Sequence, residues 1–89
     1  MARLDFLSRE GMEFAAHGGG PDALFQLGLM YCSGRDVEVD FVQAHKWFNL
    51  AALRGNGDAK RYRLEISREM SKAEVARAQK LAREWLSVN

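Results

Sequence analysis

The sequence predicts an all-α fold, a short α/α solenoid of antiparallel helix–turn–helix repeats with about five helices. Three observations point there. First, Ala15, Ala16, Gly19, Asp22 and Ala23 return as Ala51, Ala52, Gly55, Asp58 and Ala59, each shifted by 36 residues with no gap. A fixed period of this length marks stacked units that bury their apolar faces against one another. Second, apolar residues follow the 3-and-4 spacing of helical faces, and no strand is expected. Third, glycine, proline and capping residues punctuate the chain between those stretches.

The first helix is expected over about 3 to 16, with Leu4, Leu7, Gly11, Phe14 and Ala15 on one face and Phe6 and Met12 beside it. Gly18-Gly19-Gly20 ends it, since glycine adopts left-handed backbone angles without steric cost. Pro21 suits the first position of a second helix, over Pro21 to Ser33, and Asp22 favours the positive end of its dipole. Ala23, Leu27, Met30 and Tyr31 should face inward.

Asp40 with Gln43 forms a capping-box pattern opening the third helix, which Gly55 closes near position 54. Phe41, Ala44, Phe48 and Ala51 make its apolar stripe, widened by Trp47 and Ala52. Asn56 can cap a fourth helix over about 57 to 69, with Ala59, Tyr62, Ile66 and Met70 inward. Ser71 and Glu74 form a second capping box, starting a fifth helix over about 72 to 87. Its buried side should carry Val75, Ala78, Ala82, Trp85 and Leu86.

The composition suits one small domain: 89 residues, 47% hydrophobic and 10% aromatic. That is too apolar for a disordered chain. No run approaches the ~20 apolar residues of a membrane span, and no signal-peptide stretch is read at the start. Cys32 is the only cysteine, which excludes an internal disulfide and fits a reducing, cytoplasmic location. Net charge is +1 but unevenly spread. Residues 1–52 carry four basic side chains against seven acidic ones, and residues 53–89 carry nine against five. The two ends therefore have opposite sign.

Residues 23 to 59 resemble the Sel-one-like repeat, a relative of the tetratricopeptide repeat. The residues that carry the resemblance are Ala23, Leu27-Gly28, Tyr31, Gly34-Arg35-Asp36-Val37, Asp40, Ala44, Trp47, Ala51-Ala52, Gly55 and Ala59. The resemblance implies one full repeat over 21–56, preceded by an N-terminal half repeat over 1–20. A degenerate capping helix pair over 57–89 would follow. Gly28 should let the paired helix approach closely, and the alanines keep the third helix narrow where it crosses the second. Tyr31 and Trp47 should fill the space between helices, each with its polar atom partnered. Asp36 replaces a loop glycine and is expected to tolerate left-handed angles. Arg63, Leu64 and Ser67 stand where the family places Leu, Gly and Tyr, so a rotated closing pair is expected.

The resemblance implies a non-enzymatic adaptor or scaffold that binds a protein or peptide partner. Secreted bacterial members linked to penicillin binding carry paired cysteines in each repeat, unlike this chain. Leu24 and Leu29 with Gln26 could form an exposed partner-binding patch, or be buried by inward folding of the ends. Phe6 and Met12 could support a homodimer through the first helix, in competition with a head-to-tail contact between acidic and basic ends.

Chemistry is not indicated. Cys32 and His45 could be paired as thiol and base, but no third orienting group is evident, and they read as a small buried residue and a surface imidazole. No Ser-x-x-Lys and no metal-ligand spacing occurs, and no cofactor is expected. Gly18-Gly19-Gly20 reads as a turn rather than a phosphate cradle, because Asp22 would repel the phosphate. Nucleic acid is the alternative partner for the basic residues Lys60, Arg61, Arg63, Arg68, Lys72, Arg77, Lys80 and Arg83. Their interleaved acids read instead as a solvated face. A small hydrolase is the third alternative.

Overall fold

The computed structural model describes residues 17, 18 and 20–88. Four helices and no strand are found among them: α1 (Pro21–Ser33), α2 (Phe41–Leu53), α3 (Ala59–Ser67) and α4 (Lys72–Val88). The helix expected over 3 to 16 lies outside the described residues.

Local chemistry sets each boundary. Pro21 opens α1 with Asp22 in its first turn. At the other end Gly34 takes φ 79°, and the N–H groups of Gly34 and Arg35 both donate to the Met30 carbonyl. Asp36 has φ 64°, the left-handed conformation expected of it. The Asp40 N–H donates to the Tyr31 carbonyl at 3.0 Å, pinning the loop to α1. Asp40 then caps α2 by accepting from the Gln43 N–H at 3.1 Å.

Gly55, at φ 103°, ends α2, and the Asn56 N–H closes back on the Ala51 carbonyl at 2.9 Å. The helix expected from about 57 begins at Ala59 with Asp58 at its N-cap, and the Asn56 side-chain oxygen accepts from the N–H groups of Asp58 and Ala59, both at 3.0 Å, bracing the turn into α3. Ser71 and Glu74 complete both bonds of their capping box. The Ser71 N–H donates to Glu74 at 2.8 Å, and the Glu74 N–H donates to the Ser71 hydroxyl at 3.1 Å.

Helix α2 is the hub, packed against α1, α3 and α4. Its seam with α1 is set by Gly28, where an added Cβ would run into the buried Phe48 ring. Phe48 also meets Phe25 of α1 and Tyr62 of α3, with ring centroids 5.6 Å away in each case. Phe25 and Tyr62 meet edge-on at 5.2 Å, closing an aromatic triad over three helices. Another flank of α2 presents Trp47, which meets Trp85 of α4 edge-on at 5.7 Å.

Helices α3 and α4 follow one another in the chain, yet the close backbone approaches of both are to α2 rather than to each other. The reason lies in the seam residues. Arg63, Leu64 and Ser67 of α3 stand 36 positions after Leu27, Gly28 and Tyr31, and cannot offer the close approach that Gly28 gives α2. Helix α4 instead brings Ala78, Ala82 and Trp85 into the core. Those residues use up its inward face, so Leu86, one residue round the helix, is 39% exposed and not buried as expected.

Two glycines test this account. Gly28→Ala should destabilise the protein by about 1–2 kcal/mol in urea melts, because overpacking against Phe48 outweighs the roughly 1 kcal/mol gained in helix propensity. An increase in stability would show that the α1–α2 seam has slack. Gly55 has open space around its Cβ position, so its cost is purely conformational. Gly55→Val should cost about 1–3 kcal/mol for that reason, measured the same way.

Candidate interaction surface

One stripe of α1 carries Asp22, Gln26, Leu29 and Ser33, spaced by 4, 3 and 4 residues. Asp22 and Ser33 are exposed, while Gln26 and Leu29 are half-buried. Leu24 does not belong to this surface. It is fully buried in the core, which settles its alternative readings in favour of burial. Leu29 packs partly against the same core and leaves the rest of its side chain accessible. Phe6 and Met12 lie outside the described residues.

The repeat-defining residues behave as scaffold. Leu27, Gly28, Tyr31, Ala44, Trp47, Ala51 and Ala59 are buried, and Ala23 and Ala52 are half-buried. Gly34, Asp40 and Gly55 make the turns and caps described above. None of them adds a reactive group to the surface.

Two polar side chains correct the sequence reading. His45 is a buried residue, only 3% exposed, and not a surface imidazole. Its position one turn before Asn49 aims it into the α2–α3 side, where Asn49 accepts a hydrogen bond from the Arg63 guanidinium. Its Nδ1 has no hydrogen-bond partner. Burial, and secondarily the positive charge of Arg63, lower its pKa from the usual 6.5. Trp47 likewise keeps its indole Nε1 buried without a partner, although one was expected. The edge-on packing against Trp85 holds that ring by its apolar surface instead.

Cys32 is half-buried rather than fully enclosed. Burial first, then the negative charge of Glu65, raise its pKa. Both effects keep the thiol protonated and weakly nucleophilic. No group of three or more His, Cys, Asp and Glu side chains suited to a metal ion occurs among the described residues.

Asn56 is a residue whose full role the sequence did not reveal. Beyond bracing the turn into α3, its amide donates to the Asp22 carboxylate at 3.2 Å, tying the α2–α3 turn to the start of α1. A cap residue is visible in sequence, but a contact across 34 residues is not. The stack of His17 on Trp85, with centroids 6.1 Å apart, is equally non-local. On α3, Arg61 pairs with Asp58 at 3.5 Å, with both side chains about two-thirds exposed. Such a pair contributes little to stability. The basic side chains Lys60, Arg61, Arg68, Lys72, Arg77, Lys80 and Arg83 are exposed, and Arg63 is half-buried.

The hairpin built on Gly28, the narrow alanine-lined α2 and the two glycine turns coincide with a known pattern. The Sel1 repeat family model matches residues 21–56. This segment is a Sel1 repeat. Over 67 residues the chain is also 31% identical to the alginate biosynthesis protein AlgK of Azotobacter vinelandii. That match covers 75% of this chain and 15% of AlgK, so the chain spans only a small part of that relative's length. No solved structure matches the chain. The Sel1 repeat accounts for α1, α2 and the turn into α3, whereas α3 and α4 follow it. Among the described residues, no helix is long and apolar enough to cross a membrane.

The buried histidine has a measurable consequence. Its lowered pKa means that the unfolded chain binds the proton more readily than the folded one. Its contribution to stability is therefore present above the unfolded value, near 6.5, and is lost as pH falls below it. Between pH 7 and pH 5 the melting temperature should drop more for the parent than for His45→Leu. Equal slopes in thermal melts would show that His45 is solvated or partnered in solution.

Proposed function

We propose that this protein is a non-enzymatic adaptor whose Sel1 repeat presents the α1 stripe to a protein or peptide partner. Sel1 repeats generally serve protein–protein interaction. The observation that carries the reading here is the division of labour on α1. Leu24, Leu27, Gly28, Met30 and Tyr31 are committed to the core, while Gln26 and Leu29 stand half-exposed between Asp22 and Ser33. A rigid helix showing one apolar and several polar groups is a platform for recognition. The weakly nucleophilic Cys32 and the buried His45 support the non-enzymatic side of the proposal.

Residues 57–89 act as a closing pair that shields the flank of the repeat. A cytoplasmic location fits the half-buried free thiol. A homodimer through Phe6 and Met12 belongs to the same proposal. Because of the similarity to an alginate biosynthesis protein, alginate biosynthesis is one setting in which to look for the partner.

Cross-linking capture from the native host, comparing the parent with Leu29→Glu, tests the assignment. The parent should enrich a defined set of proteins that the folded variant loses by roughly tenfold or more, the cost expected of a charge buried at an interface. Recovery of the same proteins by both chains would remove the α1 stripe from the interface.

A further inference from the structure

The displacement of α4 onto α2 leaves an open helical face on α3. Leu64 stands 36 positions after Gly28, where the first hairpin has its tightest seam, yet Leu64 is 58% exposed. Lys60, Leu64 and Arg68 follow at four-residue steps, with Arg61 beside them, and all are exposed. Asp58 and Glu65 border this face on the Arg61 side, three and four residues from Arg61, and Asp58 pairs with it. The open face therefore centres on Leu64, with Lys60 and Arg68 one turn to either side and Arg61 at its edge.

The loop between α1 and α2 has the complementary character. Asp36, Glu38 and Asp40 are exposed carboxylates, with Arg35 as the flanking cation. Between them Val39 is 55% exposed, a large apolar side chain left in water. The loop is held in shape by the left-handed Asp36, the Asp40-to-Tyr31 backbone bond and the Asp40 cap. A preorganised loop gives up little entropy when it docks.

We propose that the 36–40 loop of one protomer docks on the α3 face of a second copy, Val39 against Leu64, with Asp36 and Glu38 facing Lys60, Arg61 and Arg68. The exposed Asp58–Arg61 pair gives way at small cost. The contact joins two different surfaces, so it is head-to-tail and each added copy leaves a free loop and a free α3 face. It goes beyond the adaptor reading, because it needs no second protein and does not use the α1 stripe.

Light scattering on the purified full chain tests it. In about 0.01 M salt, where charges act over roughly 30 Å, the mass should rise with concentration above the 10.1 kDa of one chain. In about 1 M salt, where that reach is about 3 Å, the association should weaken at least tenfold. Arg61→Glu with Arg68→Glu sets an acidic face against an acidic loop. Asp36→Asn with Glu38→Lys sets a basic loop against a basic face. Each double variant should stay at the mass of one chain, and an equimolar mixture should associate again. Circular dichroism checks that both are folded, and Leu64→Ser, which keeps every charge, should also weaken association.

A mass of one chain for the parent at every concentration and salt would overturn the proposal. So would a mixture of folded variants that fails to associate. An assembly that persists in 1 M salt and in both variants would overturn it too, and would point to an apolar contact such as that expected for Phe6 and Met12. None of these outcomes bears on capture of a different protein through α1.

Discussion

The contact between Gly28 and the Phe48 ring organises the rest of the molecule. Only a residue without a side chain lets the ring sit against the α1 backbone. With the ring there, Phe48 is fully buried and its remaining surface is open to Phe25 and Tyr62. Three helices are thereby joined through one side chain of α2. A glycine inside a helix costs about 1 kcal/mol in propensity, which the close packing of a large aromatic offsets.

The same constraint explains why the second half of the chain departs from the first. The period puts Leu64 where a second Gly28 would be needed, so α3 cannot form an equally tight hairpin with the helix after it. Helix α4 settles on α2 instead, with Ala82 in the shared core and Trp85 reaching Trp47. Departures at Arg63, Leu64 and Ser67 thus go with a different seat for the last helix, and Leu64 is left in water. The buried polar atoms at His45 and Trp47 show that this packing tolerates unsatisfied groups within the core. Such groups lower stability, and the buried His45 also makes the core sensitive to acid.

Much of the local structure was legible in the residue order because it depends on neighbours in the chain. Pro21, Gly34, Asp40, Gly55 and the Ser71–Glu74 pair act over four residues or fewer, and each appears at its expected place. The apolar stripes of α2, α3 and α4 were readable for the same reason, since helical period alone determines which side chains share a face. The errors arose where a stripe had an edge. Leu86 and His45 lie next to buried positions, and period cannot say how wide a face the neighbouring helix will cover. Of the candidate site, Gln26 and Leu29 keep accessible surface, but Leu24 was legible only as ambiguous.

The sequence by itself determined the helical class, the 36-residue period and the caps, because these follow from backbone preferences and short-range hydrogen bonds. It also carried the family, through small residues at fixed spacing. Tertiary structure alone decided that α2 is shared by three partners, that Asn56 reaches Asp22, and that α4 bypasses α3. Those outcomes depend on competition among helix faces for the same apolar surface. The competition is settled by shape in three dimensions, where Gly28 and Leu64 differ by one side chain and α1 and α3 acquire different surroundings.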